Sequence, residues 1–600
     1  MNKGSYWERP RGRRLSRRRV VVGAAGLGAG AVALSLVGCG GGDEGGGEEA
    51  ADGATKVQMA YQVLKDETKD AIPGGVYRSA SSSNTVTGSL DPMISTSSST
   101  QSAAGSALET LLTSKSRPER KDWNKYEVSP RLAESWEVSS DATTFTFRMR
   151  SGVRFHDIPP VNGRVMDIED WRLSLERFLA VSPFKSNLAE PLDSYSFPDS
   201  RTMVLKTKYP YAPLLRLFTS GSSTFWVMPK EAFDGRLNPG TTMIGTNYLS
   251  RDKYQPDIIT EHKRHDNYWL QKPWIERWRS FVIPEREQRR AQFLVKNLES
   301  YTPVQADVLQ MPKDAPDATM WMGDITSTGF IRTWFGLKEF ETSPFRDERV
   351  RQAFAMVSDW PALRAYWSNS KEFAAAGLPT MDLRYSFVRI GWMDYGYWLD
   401  PNKKELGDAS KYLLFDIPGA RKLLAAAGYT SAIEIPAAYY SMGTQYGNDY
   451  LTRVMMGWDL IEQSGLFKVA KRIALPFAEY LQTIYYDQDF NGACGGPEIN
   501  ATEVDSELYN WYHSKGARFK AGGIKDPKVD DFIMRQRSEL DDEKRKTIIH
   551  DFQKYMATKM YTIPYDGESV TYYFSWGYLR NTLWPGWNHF LRADYPDRNG

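Results

Sequence analysis

The sequence predicts a large α/β protein built from two or more lobes. Its 600 residues exceed what one hydrophobic core usually organises, and 41% of them are hydrophobic, which is enough to bury a core in each lobe. Strand and helix signals alternate from about residue 74 onward. No unit of about 20 to 50 residues repeats, which argues against solenoids and propellers.

The first 38 residues have the charge-then-apolar order of an export signal. A basic segment ends in Ser16-Arg17-Arg18-Arg19, and uncharged residues follow from Val20 to Val37. The pair Arg17 and Arg18 resembles the signal of the twin-arginine export route. A transmembrane anchor is the alternative interpretation, because this stretch would almost span a bilayer at about 1.5 Å per residue. The glycine and serine residues within it weaken that alternative.

Cys39 follows the apolar stretch. The sequence Leu36-Val37-Gly38-Cys39 resembles the lipobox of bacterial lipoproteins, in which the cysteine thiol takes a diacylglycerol. Each buried methylene of an acyl chain contributes about 0.8 kcal/mol, so we expect Cys39 to hold the protein at the outer face of the cytoplasmic membrane. Residues 39–72 begin with Gly, Glu, Asp and Ala, a composition that predicts a flexible tether.

Removal of the signal changes the charge of the chain. Residues 1–38 carry eight Lys or Arg and one Glu, so the net charge of +2 becomes −5. The electrostatic argument for a nucleic-acid partner is thereby lost. Besides Cys39 the sequence contains only Cys494, which excludes an internal disulfide and a cysteine-based zinc site. The fold must therefore rest on core packing.

The clearest strand signal is a hairpin. Residues 134–138 and 143–149 alternate in polarity on either side of the turn Ser139–Ala142. One face of the second strand is apolar and predicts a buried side, formed by Phe145, Phe147 and Met149. Trp136 on the first strand is expected to join this core.

Helices are predicted over residues 167–179, 285–298 and 346–357 from apolar residues at helical spacing. A fourth helix has clear ends, because Asp416 is a favourable N-cap and Gly428 follows its last turn. Leu423 and Leu424 are expected to face inward.

The longest motif runs from Pro130 through Trp136 to Asp157. It resembles the signature of solute-binding family 5, the large extracellular solute-binding proteins of peptide and nickel ABC transporters. Shorter blocks follow in the order of that family, namely Leu90-Asp91-Pro92, Asn267-Tyr268-Trp269, Pro344–Ala353, Asp416–Gly428, Asp526–Asp530 and Ile563-Pro564.

This resemblance implies the two-lobed periplasmic-binding-protein (Venus-flytrap) fold of the large, three-domain type. It places domain I at residues 73–100, 200–328 and 573–600, domain II at 101–199 and domain III at 329–572. Such a receptor closes around a solute in the cleft between its lobes and presents it to the permease of an ABC importer. We therefore expect a monomer without enzymatic activity or cofactor.

The sequence departs from the family at two places that concern the ligand. Gly245-Thr246-Asn247-Tyr248 replaces the usual Gly-Thr-Gly-Pro-aromatic turn, and no Trp-x-x-Asp motif follows Cys494. In peptide binders of the family, that Asp pairs with the α-amine of the peptide. Glu498 and Asp505 are the candidates to replace it. A peptide-like solute is the first hypothesis, an oligosaccharide the second, and a surface lipoprotein without a transport role the third.

Aromatic side chains are the other candidate ligand contacts, because a desolvated cleft gains affinity from flat apolar area. The chain contains 19 Trp and 33 Tyr. The candidates lie in a Gly-punctuated segment and in a later one, and they are Trp392, Tyr395, Tyr397, Trp398, Tyr509 and Trp511. Burial of these rings in the core is the alternative, and it stays open at this stage.

Enzymatic and metal-binding motifs are not evident. The sequence has no Gly-x-Ser-x-Gly, His-Glu-x-x-His or Walker loop. His262-Lys263-Arg264-His265 would place two imidazoles on one face of a helix, but the two cations between them oppose a metal ion and the segment is strand-like. We therefore expect a solvated charged turn and no metal site.

Overall fold

The structure is a computed structural model. It describes residues 57–59, 66–84, 89–95, 98–115, 127–219, 225–322, 331–337, 341–367, 369–378, 386–388, 396–440, 447–486, 490–497, 503–516, 525–564, 572–582 and 589–592. All of them belong to one unit, residues 55–600.

The strands of the described residues, in chain order, are β1 (Val57–Met59), β2 (Val76–Ser81), β3 (Leu112–Ser114), β4 (Val128–Pro130), β5 (Ala133–Val138), β6 (Thr144–Met149), β7 (Leu192–Asp199), β8 (Thr202–Thr207), β9 (Leu249–Gln255), β10 (Ile259–Arg264), β11 (Arg277–Val282), β12 (Ser300–Tyr301), β13 (Ala318–Met322), β14 (Ile331–Leu337), β15 (Ile433–Tyr440), β16 (Phe467–Leu475), β17 (Asn491–Pro497), β18 (Thr562–Pro564), β19 (Tyr572–Trp576), β20 (Leu579–Arg580) and β21 (Phe590–Leu591).

The α-helices are α1 (Ser98–Ala107), α2 (Ile168–Val181), α3 (Ser186–Ala189), α4 (Leu214–Leu217), α5 (Arg286–Leu294), α6 (Met311–Asp314), α7 (Glu348–Met356), α8 (Trp360–Trp367), α9 (Ser370–Ala375), α10 (Ile417–Ala426), α11 (Gly447–Gln463), α12 (Phe477–Tyr480), α13 (Val504–Tyr512), α14 (Pro527–Ser538) and α15 (Asp542–Lys559). Short 3₁₀ helices span Thr68–Asp70, Lys230–Ala232, Gln305–Asp307, Pro344–Arg346, Pro401–Lys403 and Gly407–Leu413, and a π-helical turn spans Leu481–Tyr486.

The predicted hairpin is confirmed as β5 and β6, which belong to the antiparallel sheet β5-β6-β8-β7. The predicted apolar face of β6 is buried and packs with Trp171 and Phe178 of α2 in the same core. Trp136 lies opposite Phe147 and joins this core, but it is only partly buried because β5 is the edge strand of the sheet.

Two further sheets combine distant parts of the chain. In β2-β11-β10-β9 the first pair is parallel and the other pairs are antiparallel. In β1-β13-β19-β12 the late strand β19 lies between β13 and β12. A late segment of the chain, β19, therefore pairs with two strands that lie before residue 323 in sequence.

A five-stranded sheet, β16-β15-β17-β14-β18, organises the second half of the chain. β15 is parallel to both β16 and β17, whereas β14 is antiparallel to β17 and β18. Helices such as α7, α11 and α15 contribute Phe354, Trp458 and Phe552 to its core. This core contains buried residues from 334 to 563.

Two large cores thus divide most of the described chain. The first contains buried residues from 90 to 244 and the second contains those from 334 to 563. We call the parts around them the N-terminal lobe and the C-terminal lobe. The predicted α/β architecture is confirmed.

The predicted helices are present with shifted ends. α2 begins after Asp167, whose side chain accepts a hydrogen bond from the Glu169 amide, and α10 is capped by Asp416 and followed by Gly428 with a φ of 91°. α5 is shorter than predicted and ends at Leu294. The predicted helix from residue 346 is a 3₁₀ turn followed by α7, because Asp347 caps a new helix start.

Three of the sequence motifs meet at one buried carboxylate, that of Glu109. Arg131 of the longest motif donates to Glu109 Oε1 over 2.6 Å, and Thr246 of the variant turn donates to Oε2 over 2.7 Å. Tyr268 and Trp269 donate to the same carboxylate over 3.1 Å. We call these five residues the Glu109 cluster. It joins three chain segments within the N-terminal part of the protein.

The backbone beside this cluster requires glycine at position 245. A Cβ atom there would lie 2.1 Å from the Ala107 carbonyl oxygen, far inside contact distance. The glycine of the family turn is therefore explained by close backbone approach.

The division into three domains stays a prediction. Its boundary between residues 199 and 200 falls between β7 and β8, which are paired strands of one sheet, and the boundary at residues 100 and 101 falls within α1.

Candidate functional site

The N-terminal lobe contacts the C-terminal lobe through the segment that follows β8. The Ala212 amide donates to the Arg537 carbonyl oxygen over 3.2 Å. Tyr211 is fully buried, and its hydroxyl lies 2.8 Å from the Asn187 carbonyl oxygen and 3.2 Å from Asp505 Oδ2. One tyrosine hydroxyl therefore connects a backbone group of one lobe with a carboxylate of the other.

Arg537 on α14 lies at the centre of this contact, and its side chain is fully buried. Its guanidinium donates to both carboxylate oxygens of Asp505, over 3.1 and 2.9 Å, and to Glu190 of the N-terminal lobe over 2.8 Å. The guanidinium carbon also lies 4.0 Å from the ring centroid of Tyr509 and 5.1 Å from that of Tyr211. Arg537 thus has ionic and cation–π partners in both lobes.

A second pair of charges continues the contact. Arg545 on α15 donates to Glu503 over 2.8 Å, and Arg216 of the N-terminal lobe donates to the same carboxylate over 3.2 Å. The Tyr397 hydroxyl lies 3.4 Å from Arg216 and 3.5 Å from Arg545. Two guanidinium groups, one from each lobe, therefore share one carboxylate and one phenol.

Gln536 connects the two pairs. Its amide nitrogen donates to Asp505 over 2.6 Å, and its amide oxygen accepts from Arg545 over 3.1 Å. The contacts form one continuous set, which we call the interlobe network and which consists of Glu190, Tyr211, Arg216, Tyr397, Glu503, Asp505, Tyr509, Gln536, Arg537 and Arg545.

The network is electrically balanced, with three guanidinium groups and three carboxylates. Burial disfavours the ionised form of Asp505, but the charge and hydrogen bonds of Arg537 outweigh burial and hold the pKa of Asp505 below its ordinary value. Burial likewise opposes the charge of Arg545, and Glu503 outweighs it and raises the pKa of Arg545. Asp505 and Arg545 therefore keep their charges at neutral pH inside the contact.

Comparison with known families identifies the family of this protein. Residues 127–518 match the model of the bacterial extracellular solute-binding proteins, family 5 Middle. This match covers more than half of the chain. The chain belongs to this family.

Among curated proteins, the chain is 28% identical over 259 residues to the dipeptide-binding protein of Escherichia coli K12, covering 40% of this chain and 47% of that protein. It is 25% identical over 332 residues to heme-binding protein A of Haemophilus influenzae, covering 51% and 55%. The chain spans about half the length of the curated relatives it matches.

Solved structures resemble this fold over most of the chain. A periplasmic binding protein associated with an ABC transporter of Helicobacter pylori, solved with a bound peptide, superposes with a TM-score of 0.69 at 16% identity. The superposition covers 88% of this chain and all of that one. The present chain therefore has the two-lobed α/β fold of periplasmic binding proteins. The predicted family and fold class are both confirmed.

The structure brings three of the predicted ligand contacts together, but in the interlobe network. Tyr397 lies between Arg216 and Arg545, and Asp505 and Tyr509 both contact Arg537. The carboxylate of Asp505, predicted as a replacement for the α-amine anchor, is occupied by protein donors in this structure.

The other predicted residues are separate from the network or lie outside the described residues. Trp511 stacks on Trp334 of β14 with ring centroids 5.5 Å apart, and Trp398 is buried. The remaining predicted residues lie outside the described part of the chain, namely Trp392, Tyr395, Glu498, Cys39, Arg17 and Arg18.

The residues that sequence reasoning missed are mainly Glu190, Arg216, Arg537 and Arg545. Each is a single charged residue in or beside a helix, and its ionic partner lies far away in sequence. Glu190 and Arg537, for example, are 347 positions apart. A local sequence pattern contains no signal for such a pair.

The prediction of a solvated charged turn at residues 262–265 is wrong. His262 lies in β10, and His265 is buried, with its ring 5.0 Å from that of His156 and Nδ1 3.2 Å from the Asn247 carbonyl oxygen. Burial and His265 lower the pKa of His156 to about 3. His262 is partly buried because β10 is an interior strand of its sheet and Ser106 of α1 contacts the His262 ring.

Metal ligands and membrane-spanning helices are both absent from the described residues. These residues contain no group of three or more His, Cys, Asp or Glu side chains arranged to hold a metal ion. Within the same residues, no helix combines the length and the apolar character needed to cross a membrane.

Proposed function

We propose that this protein is the solute-binding receptor of an ABC importer and that it captures a peptide-like solute between its two lobes for presentation to the membrane permease. Membership of the family supports the receptor role. The observation that carries the proposal is the interlobe network, because it connects the lobes through buried, balanced charges on both sides. A receptor that closes around its solute needs such complementary surfaces.

The network also bears on how the solute is held. Asp505 is paired with Arg537, so Glu498 is the remaining acidic candidate for a contact with an α-amine. Trp392 and Tyr395 remain the proposed aromatic contacts. Tyr397 and Tyr509 have guanidinium groups as partners, and we assign them to the contact between the lobes.

The solute class is tested by ligand-induced stabilisation of the chain. We expect tripeptides to pentapeptides to raise the melting temperature, because a ligand at about 100 times its Kd stabilises the folded state by about 2.7 kcal/mol. Differential scanning fluorimetry with such peptides, and with cello- and xylo-oligomers as the comparison, measures this shift. Stabilisation by the sugars alone would replace the peptide hypothesis with the oligosaccharide one, and no shift with either set would contradict both.

A matched pair of peptides sharpens the test. A peptide with an acetylated N-terminus should bind more weakly than its free counterpart if a carboxylate of the protein pairs with the α-amine. Equal affinities of the two peptides would remove the assignment of Glu498 and leave the receptor role intact.

We further propose that Cys39 carries a lipid that holds the receptor at the outer face of the cytoplasmic membrane, after export directed by Arg17 and Arg18. The lipobox-like sequence before Cys39 and the extracellular character of the family support this location. Replacement of Cys39 by alanine should move the protein from the membrane fraction to the soluble fraction and abolish labelling by radioactive palmitate. The variant Cys494→Ala is the control and should keep both properties. Membrane retention of the Cys39 variant would contradict the proposal.

A further inference from the structure

Arg251 on the edge strand β9 has no acidic partner among the described residues. Its Nε and Nη1 atoms are buried, and no residue of the described chain accepts a hydrogen bond from them. The neighbouring acid Asp252 pairs instead with Arg277 over 2.8 Å and with Lys263 over 4.0 Å. Arg351, another arginine whose charge is disfavoured by burial, donates to backbone carbonyl oxygens. Arg251 has no such compensation.

The sheet register places further polar and aromatic groups beside Arg251. Arg251 lies directly opposite His262 on β10, and His262 lies opposite Trp278 on β11, so the three side chains share one face. The guanidinium carbon is 5.2 Å from the ring centroid of Tyr254. Ser106 of α1 covers the same face, with its Oγ atom 3.3 Å from His262 Nε2.

The described ionisable side chains beside Arg251 on this face are His262 and Tyr254, and neither is a carboxylate. Burial lowers the pKa of Arg251, and only Tyr254 acts in the opposite direction. Burial and the charge of Arg251 lower the pKa of His262 to about 4. Asp252 and Glu261 face the other side, where Glu261 lies 3.5 Å from Arg279. A half-buried cation in such surroundings is stabilised when an anion approaches it.

We propose that this face of β9 and β10 binds an oxyanion, a carboxylate or phosphate group, through the Arg251 guanidinium, with His262 and Ser106 as neighbouring polar groups. The planar guanidinium fork matches the two oxygens of such a group. The oxyanion has two possible sources, a carboxylate of the captured solute or a free ion. This proposal can be tested independently of the proposed transport function, because binding of an inorganic ion is enough to detect the site.

Isothermal titration calorimetry of the full chain with inorganic phosphate and with acetate tests the site. We expect Arg251→Gln to weaken binding of the better of these two ions by about tenfold or more, because a charge-assisted hydrogen-bonded pair is lost. The matched control is Arg277→Gln, which removes a paired arginine from the opposite face and should leave the affinity unchanged. Wild-type affinity of the Arg251 variant, or binding of neither ion to the wild type, would overturn the proposal.

A second measurement uses the wild type alone, so its result does not depend on whether the Arg251 variant folds. A bound anion favours the protonated form of His262, so its pKa should rise from about 4 on binding. The imidazole NMR signal of His262 should therefore move on titration with phosphate, whereas that of His550, which contacts Gly396, should not. An unmoved His262 signal would count against the site.

Peptides distinguish the two sources of the anion. If the site takes the carboxylate of the solute, C-terminal amidation should weaken peptide binding to the wild type but not to the Arg251 variant. If it takes a free ion, amidation should affect both proteins equally while phosphate binding is still lost in the variant. Both outcomes agree with an oxyanion site and differ only in its occupant.

Discussion

Replacement of Arg537 by methionine should lower the free energy of unfolding by about 3–5 kcal/mol. The substitution removes the ionic partner Arg537 from Asp505, a carboxylate whose side chain is fully buried, and leaves its charge only partly compensated by the hydrogen bonds of Gln536 and Tyr211. It also removes the contact with Glu190 and the cation–π contacts with Tyr509 and Tyr211. Urea unfolding followed by tryptophan fluorescence measures the loss.

The neighbouring arginine on the same helix provides a matched control. Arg535 is more than half exposed and pairs with Asp531 over 3.4 Å. An exposed pair of this kind is worth at most about 1 kcal/mol, so Arg535→Met should unfold nearly as the wild type does. Equal effects of the two substitutions would show that the interlobe network does not contribute as we describe.

A double variant separates the charge effect from lost packing. Arg537→Met combined with Asp505→Leu removes both charges and should recover part of the stability lost in Arg537→Met alone, because the cost of an uncompensated buried charge disappears. If the double variant is less stable than the single variant, the hydrogen bonds that Asp505 keeps with Gln536 and Tyr211 outweigh the cost of its buried charge.

Sequence reasoning was most successful where the physical cause is local. The alternation in β6 depends on side chains pointing to opposite faces, and the start of α10 depends on a carboxylate that caps the Gly419 amide. Both causes involve residues within a few positions of each other. The same holds for the motif blocks, because each is a short run of residues and their order along the chain is that of the family.

Prediction failed where the cause is tertiary. Tyr397 and Tyr509 were identified as aromatic residues in plausible positions, but their rings contact Arg545 and Arg537 from distant helices. His265 belongs to a charged sequence and is nevertheless buried, because the sheet places it against His156. The motif blocks were recognised individually, whereas the residue that joins three of them, Glu109, belongs to none.

That role of Glu109 leads to the second large expected effect. Glu109→Gln should lower the free energy of unfolding by about 3 kcal/mol or more, because Arg131 would keep its charge in a largely buried position and lose its ion pair with the Glu109 carboxylate. Burial disfavours the charge of Arg131, and Glu109 at present outweighs it and raises the pKa of Arg131. The amide would also direct a donor toward Thr246, Tyr268 or Trp269, which are all donors to the present carboxylate.

Glu134, a more exposed glutamate of the longest motif, is the comparison for this effect. Glu134 pairs with Arg201 over 2.7 Å, but both side chains are about one-third exposed, so Glu134→Gln should cost at most about 1 kcal/mol. The double substitution Glu109→Leu with Arg131→Met removes both buried charges and should be less destabilising than Glu109→Leu alone. Urea unfolding of these variants measures their free energies of unfolding. If Glu109→Gln is as mild as Glu134→Gln, the three motif blocks are held together by their apolar contacts, and the shared carboxylate is not the reason for their meeting.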